Sequence, residues 1–247
     1  MTSYDEEVIR QEVAVIGALA RGLNQFLNDL SPNDLRRHSA CDAWTVRDVA
    51  GHLTNRAERQ ITSMTRGREG DSGPPPGFSA PSDMMAMSAA NADADIAYSI
   101  SMGDDLLPTF ERRYRELHLL LNSFGGDDWR CACWHPRRGT MTAREYVSQR
   151  IQELAVHDWD IRSAFRSAGS PASGRDPRVV GDVRALAPVG AGLHPNLDDI
   201  DMVVACNANT YLLLAYGRVD VDTAANSLVA IGEEGLLERF ASWMVGF

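Results

Sequence analysis

The sequence is short of basic side chains, of cysteine and of long apolar runs, and each shortage removes a class of protein. Only 24 basic side chains stand against 34 acidic ones, giving a net charge of -10 in 247 residues. No basic stripe breaks that balance, and the carboxy-terminal part carries no convincing helix-turn-helix pattern, so a nucleic-acid partner is not expected. Four cysteines, Cys41, Cys131, Cys133 and Cys206, do not make a disulfide framework of the small secreted kind. A chain of this length buries a core without covalent staples, and reduced thiols are the expectation. No apolar run approaches membrane-spanning length, and the opening M-T-S-Y-D-E-E-V-I-R carries acid where a secretory signal carries base. A cytoplasmic protein with no membrane partner is expected.

What is present is helical periodicity. Residues 5 to 29 place Val8, Val13, Ile16, Leu19, Leu23, Phe26 and Leu30 at mixed three and four spacing, which predicts a first helix ended by Ser31-Pro32-Asn33. A second helix starts at Thr45, with Asp48 as its capping partner, and runs to about Arg66. The Gly/Pro-rich stretch G-R-E-G-D-S-G-P-P-P-G then breaks regular structure. This 67-82 loop either borders a substrate cleft or is a plain surface excursion. Residues 82 to 123 are expected to form the third bundle helix, with candidate breaks at Gly103 or Pro108. Its Met84, Met85 and Met87 read as adaptable core filler or, alternatively, as pocket lining.

The fourth helix organises the rest. Residues 142 to 168 begin with a capping box, Thr142 and Glu145, and carry Tyr146, Val147, Ile151, Leu154, Ala155 and Ile161 along one stripe. Within it Glu153 and His157 lie four residues apart, one turn apart on a shared face. A carboxylate and an imidazole at that spacing suit zinc or another first-row divalent ion, given at least one more protein ligand. The same spacing also occurs on ordinary solvated faces. His52, at the edge of the apolar side made by Val46, Val49, Ala50 and Leu53, is either turned into the bundle or satisfied as a boundary histidine. A rival donor cluster, Cys131, Cys133 and His135, sits in W-R-C-A-C-W-H-P-R-R-G, but it lacks the second paired motif of a structural zinc site. That stretch is expected to be an extended connection into the fourth helix.

The segments C-D-A-W-T-V-R-D-V-A-G-H-L and, about a hundred residues on, E-L-A-V-H-D-W-D-I resemble the metal-binding segments of the mycothiol-dependent maleylpyruvate isomerase family, within the DinB-like superfamily. The resemblance implies a mainly α chain: a DinB-like four-helix bundle over 1-168 with a small C-terminal α/β appendage over 169-247. It implies that His52, Glu153 and His157 are three ligands of a divalent metal, zinc foremost, with a position left open for the sulfur of mycothiol as cosubstrate. The expected reaction is attack of a thiolate on a small electrophilic substrate, ending in isomerisation or in thiol S-transfer. A non-catalytic metal or small-molecule binder and a thiol-independent metal-dependent hydrolase are the alternatives.

Smaller expectations complete the picture. Asp158 and Asp160 flank the second segment, and Asp160 has the better direction to hold an imidazole through its other nitrogen; a link to Arg162 is the plainer role for such an acid. Arg56, one turn after His52, is placed to approach an anionic substrate, or is an ordinary surface arginine. Trp44 and Trp159 are expected to pack the ligand helices. After A-G-S-P-A-S-G-R-D-P, a helix over 177-187, a strand at Met202 to Cys206, a helix from Asn209 to Tyr216 and a last helix through E-E-G-L-L-E-R-F-A-S-W-M are expected. Arg218, in the family-like G-R step, either clamps a substrate carboxylate or caps a helix end beside Gly217. The oligomeric state stays open, a homodimer being one option.

Overall fold

The computed structural model describes residues 3-41, 44-79, 83-165 and 202-232; within these, the side chains of 3, 4, 84, 85, 87, 88, 202-205, 208, 209 and 230-232 are outside the description. The chain divides into two compact units, Met1–Ala164 and Phe165–Phe247. The first is helical: α1 (Ser3–Asn28), α2 (Val46–Arg68), α3 (Met84–Met102), α4 (Leu106–Asn122) and α5 (Ala143–Ser163), with a hairpin of β1 (Ala132–His135) and β2 (Gly139–Thr142) before α5.

Helices α1, α4, α2 and α5 form the four-helix bundle, each packed on its neighbours in that order and α5 closing onto α1. The α1 stripe is Ile9, Val13, Ile16, Ala20, Leu23 and Leu27, all buried. The periodicity is that expected, but its phase is turned so that Val8, Leu19, Phe26 and Leu30 lie half-buried at the boundary. Leu106, Phe110, Leu117 and Leu121 of α4, Val49, Leu53 and Ala57 of α2 and Val147, Ile151 and Leu154 of α5 are all buried and make up the core. A buried-side ion pair of Arg144 with Glu12 ties α5 to α1.

Both expected capping boxes are formed. Thr45 and Asp48 start α2, and Thr142 and Glu145 start α5, each side chain bonding the other's backbone N–H. Three boundaries differ from expectation. The third helical stretch is two helices: the chain breaks at Gly103, whose φ of +49° suits glycine, while Pro108 sits harmlessly in the first turn of α4. Only α4 belongs to the bundle, and α3 packs on α2. Helix α5 stops at Ser163, five residues short of 168. The connection into α5 is a two-stranded antiparallel hairpin, pairing Ala132 with Thr142 and His135 with Gly139.

The second unit, over its described residues, holds β3 (Met202–Cys206) paired antiparallel with β4 (Leu228–Gly232), and α6 (Ala208–Ala215) and α7 (Val221–Ala224) between them. The expected strand and middle helix are there; β4 was not anticipated. The helices expected at 177-187 and near the end lie outside the described residues. Among the described residues no helix is long and apolar enough to cross a membrane.

Helix α3 approaches α2 closely at Gly51, where an added Cβ would lie 2.6 Å from Ser99 Cβ. Gly51→Ala should force the helices apart at a cost of about 1–3 kcal/mol, read as a lowered urea midpoint at unchanged m-value.

Candidate metal centre

Helices α2 and α5 run antiparallel along one seam, and three contacts fix their register. His52 Nε2 meets Glu153 Oε2 at 3.1 Å, Arg150 donates to the Arg56 carbonyl at 3.0 Å, and Gln60 donates to the Tyr146 carbonyl at 3.3 Å. At the first of these contacts the donor atoms of His52, Glu153 and His157 all lie within 4.8 Å of one another. His157 Nε2 is 3.8 Å from the same Glu153 oxygen, and the two imidazole rings meet edge-on with centroids 4.7 Å apart.

Each imidazole is held from behind. Asp95 Oδ2 lies 2.8 Å from His52 Nδ1, and Asp160 Oδ2 lies 2.8 Å from His157 Nδ1. Both acids are fully buried. A carboxylate at Nδ1 keeps the proton there and turns the Nε2 lone pair inward, the usual outer support of a metal-bound histidine. Gln149 donates to Glu153 Oε1 at 3.0 Å, which leaves Oε2 as the inward oxygen. Trp44 lies over His52, ring centroids 5.2 Å apart.

The electrostatics suit a cation. Burial resists charge on Glu153, but the bond to His52 and the charges of His52, His157 and Arg150 outweigh it and hold the carboxyl far below its usual range. Burial likewise opposes protonation of His52, and the bonds to Asp95 and Glu153 overcome it, raising the imidazole above its ordinary value. A proton shared between acid and imidazole thus stands where a metal ion would compete for the same lone pairs. Two imidazole nitrogens and one carboxylate oxygen are a zinc-type donor set that leaves a position open. A second group, Cys41, His157 and Asp160, shares only His157 with the first. Its Asp160 is already committed to His157 Nδ1, so the first set fits a metal better.

The rival cluster is not gathered. Cys131 and Cys133 contact each other at 3.8 Å, and burial raises both thiols, Cys133 to about 12. His135 Nδ1 instead accepts the backbone N–H of Arg137 and of Arg138, each at 3.2 Å. Asp158 pairs with Arg162 at 2.8 Å, and Arg56 pairs with Asp95 at 2.8 Å. Arg218 lies in the second unit, where its guanidinium donates to the Tyr216 carbonyl at 2.9 Å and its own N–H to the Leu213 carbonyl at 2.7 Å. Of the 67-82 loop, Phe78 stacks edge-on against Trp134 of the hairpin at 4.6 Å.

Asp95 is not among the residues that the sequence singles out. It also accepts from Asn55 at 2.6 Å, so all of its partners belong to α2. The available signal was a polar stripe, Asn91, Asp95 and Ser99 at four-residue spacing, inside an otherwise alanine-rich helix.

The family model for the mycothiol maleylpyruvate isomerase N-terminal domain matches residues 16–162, the span that contains every residue of this centre. The chain belongs to that family. A crystal structure of the mycothiol-dependent maleylpyruvate isomerase superposes with a TM-score of 0.60 at 16% identity, covering 94% of this chain and 97% of that one. A histidine-to-alanine mutant of the mycothiol-dependent maleylpyruvate isomerase gives 0.61 at 18% identity with the same coverage. At these identities the likeness establishes the fold, a mainly α chain with a DinB-like bundle. No curated protein matches the sequence.

Two outcomes follow from this geometry. Asp95→Asn keeps the shape but weakens the hold on His52 Nδ1, and should lower zinc affinity about 10–100-fold in chelator competition. Burial lowers His135 to about 4, so the unfolded chain binds its proton first, and the stability this residue contributes is present above pH 6.5 and lost as pH falls toward 4. The wild-type stability difference between pH 4 and 6.5 should exceed that of His135→Gln by about 3 kcal/mol in urea titrations.

Proposed function

We propose that this member of the family is a mycothiol-dependent metalloenzyme, an isomerase or thiol S-transferase, whose divalent ion, zinc foremost, is held by His52, Glu153 and His157. The observation that carries it is the convergence of the three donor atoms within 4.8 Å, with each imidazole fixed from behind by a buried carboxylate. Family membership supports the choice of thiol, and the isomerase activity for which the structural neighbours are named supports the choice of reaction.

A divalent ion in that cradle supplies Lewis acidity that keeps a thiol in its reactive, ionised form near neutral pH. The chain's own residues do the rest. Asp95 and Asp160 retain the Nδ1 protons, so both Nε2 atoms serve as donors without rotating. Gln149 keeps Glu153 from turning away, and Trp44 screens the His52 side from water. Arg56, neutralised by Asp95, contributes shape and hydrogen-bond donors at the rim and little net charge. Addition of a thiolate to a conjugated double bond of the substrate permits rotation about that bond, and loss of the thiol restores it in the other geometry. Release of the adduct instead is transfer.

Purified protein should carry one zinc ion per chain, and His52→Ala should bind it at least a hundred-fold more weakly by chelator competition. Mycothiol should bind the loaded protein alone in calorimetry, and turnover of maleylpyruvate should require it. Metal retained at full affinity in His52→Ala, or ester hydrolysis without any thiol, would overturn the assignment.

A further inference from the structure

The seam that begins at the candidate metal centre continues for two more turns, and its far end is lined by polar groups with no hydrogen-bond acceptor among the described residues. On α5 the sequence positions Tyr146, Arg150, Glu153 and His157 recur at four, three and four residues, so they share one face. On α2 the corresponding positions are His52, Arg56 and Arg59. Since His52 pairs with Glu153 and Gln60 with the Tyr146 backbone, Tyr146 and Arg59 face the same part of the seam. Seven residues of helix separate them from the centre, about 10 Å.

Three groups there lack acceptors. Tyr146 is 2% exposed, yet its hydroxyl meets no partner among the described residues and is not sealed off from solvent. His135 is 9% exposed, its ring edge-on to Tyr146 with centroids 5.4 Å apart. Two backbone N–H groups already fill its Nδ1, which forces the proton of the neutral ring onto Nε2. That Nε2–H meets no acceptor among the described residues and likewise keeps access to solvent. Arg59, half-buried, makes no hydrogen bond or ion pair among the described residues, whereas its neighbour Arg56 is neutralised by Asp95. The charges acting on these groups tie them to one place. Burial depresses Arg59, on which Arg56, Asp95 and Tyr146 also act, and Glu153, Arg56 and Arg150 act on both His135 and Tyr146.

Donors that reach solvent and have no protein acceptor are left to water or to an arriving acceptor, which can replace that water. An ammonium or an apolar group would leave all three unsatisfied. An anionic oxygen group satisfies them together, because guanidinium, phenol and neutral imidazole are all donors.

We propose that Arg59, the Tyr146 hydroxyl and His135 Nε2–H form an anion subsite that takes a carboxylate of the small substrate while its reactive carbon lies toward His52, Glu153 and His157. The proposal rests on the metal-centre reading for what happens at the other end of the seam and adds the substrate's charge and orientation. With the carboxylate anchored, the distance of about 10 Å along the helices selects for an extended acid of several carbons over a compact one. The neutral state of His135 matters here: as a donor with no net charge it orients the carboxylate without adding a cation beside Arg59.

The test is binding of maleate, a small unsaturated dicarboxylate, to zinc-loaded full-length protein by calorimetry, with zinc content and mycothiol binding measured on the same samples. Arg59→Met should weaken maleate at least ten-fold, and Arg59→Lys should recover part of that loss. Tyr146→Phe, which removes one oxygen and keeps the ring, should weaken it three-fold or more, as should His135→Phe. Zinc content and mycothiol affinity should not move in any of the four. Unchanged maleate affinity in folded, zinc-loaded Arg59→Met would overturn the subsite, as would a ten-fold loss of mycothiol binding with maleate unaffected. If wild-type protein binds no zinc but maleate still depends on Arg59, the metal reading fails and the subsite stands.

Discussion

The carboxylate of Asp95 is the constraint on which this centre depends. It is buried, it is the one acid of α3 directed at α2, and its two oxygens serve His52, Asn55 and Arg56 at once. A carboxylate in that position would be intolerable without such partners, and the partners would be intolerable without it. The close approach of Ser99 to Gly51 brings the two helices near enough for the network to form. Helix α3 therefore lies outside the bundle's hydrophobic closure while fixing the geometry of His52 inside it. The equivalent support for His157 is local, supplied by Asp160 from the next turn of its own helix.

That contrast explains what the sequence disclosed. Interactions within one helix were legible: the two capping boxes, the Glu153 and His157 spacing, and the direction from His157 to Asp160 are all set by three- and four-residue steps. His52 was legible as a candidate because its helix start was clear, and its meeting with Glu153 rested on family resemblance, since 101 residues separate them. Asp95 was not legible, because its partners lie 39 to 43 residues earlier and only packing brings them together. The phase of α1 was misjudged by a fraction of a turn because apolar residues on its boundary are as frequent as those on its buried stripe. The hairpin before α5 was read as extended chain; its pairing depends on the turn at Gly139, where φ is +68°.

The chain contains no lysine: all 24 of its basic side chains are arginine. Around the seam this has a physical meaning, because a guanidinium is planar, always charged and less strongly hydrated than an ammonium, so it tolerates partial burial. Arg150 illustrates the structural use of that property. It is fully buried between α2 and α5, donating to Gln60 at 2.7 Å and to the Arg56 carbonyl, and it adds positive potential near Glu153. Arg56 is anchored, Arg150 is enclosed and Arg59 has no ion-pair partner among the described residues, so three like charges on two helices differ in their surroundings.

Thr142 is at once the last residue of β2 and the N-cap of α5. The hairpin and the helix that bears Glu153 and His157 are consequently one lever with no slack at their joint. Lengthening or shortening the tip at 136–138 would re-aim His135 against a fixed row of helix positions and leave the donor atoms of the centre where they are. The two ends of the seam can thus be varied separately, one by loop length and the other by helix composition. A bundle built this way is a chassis on which the hairpin end can be exchanged while the donor set at the other end is inherited intact.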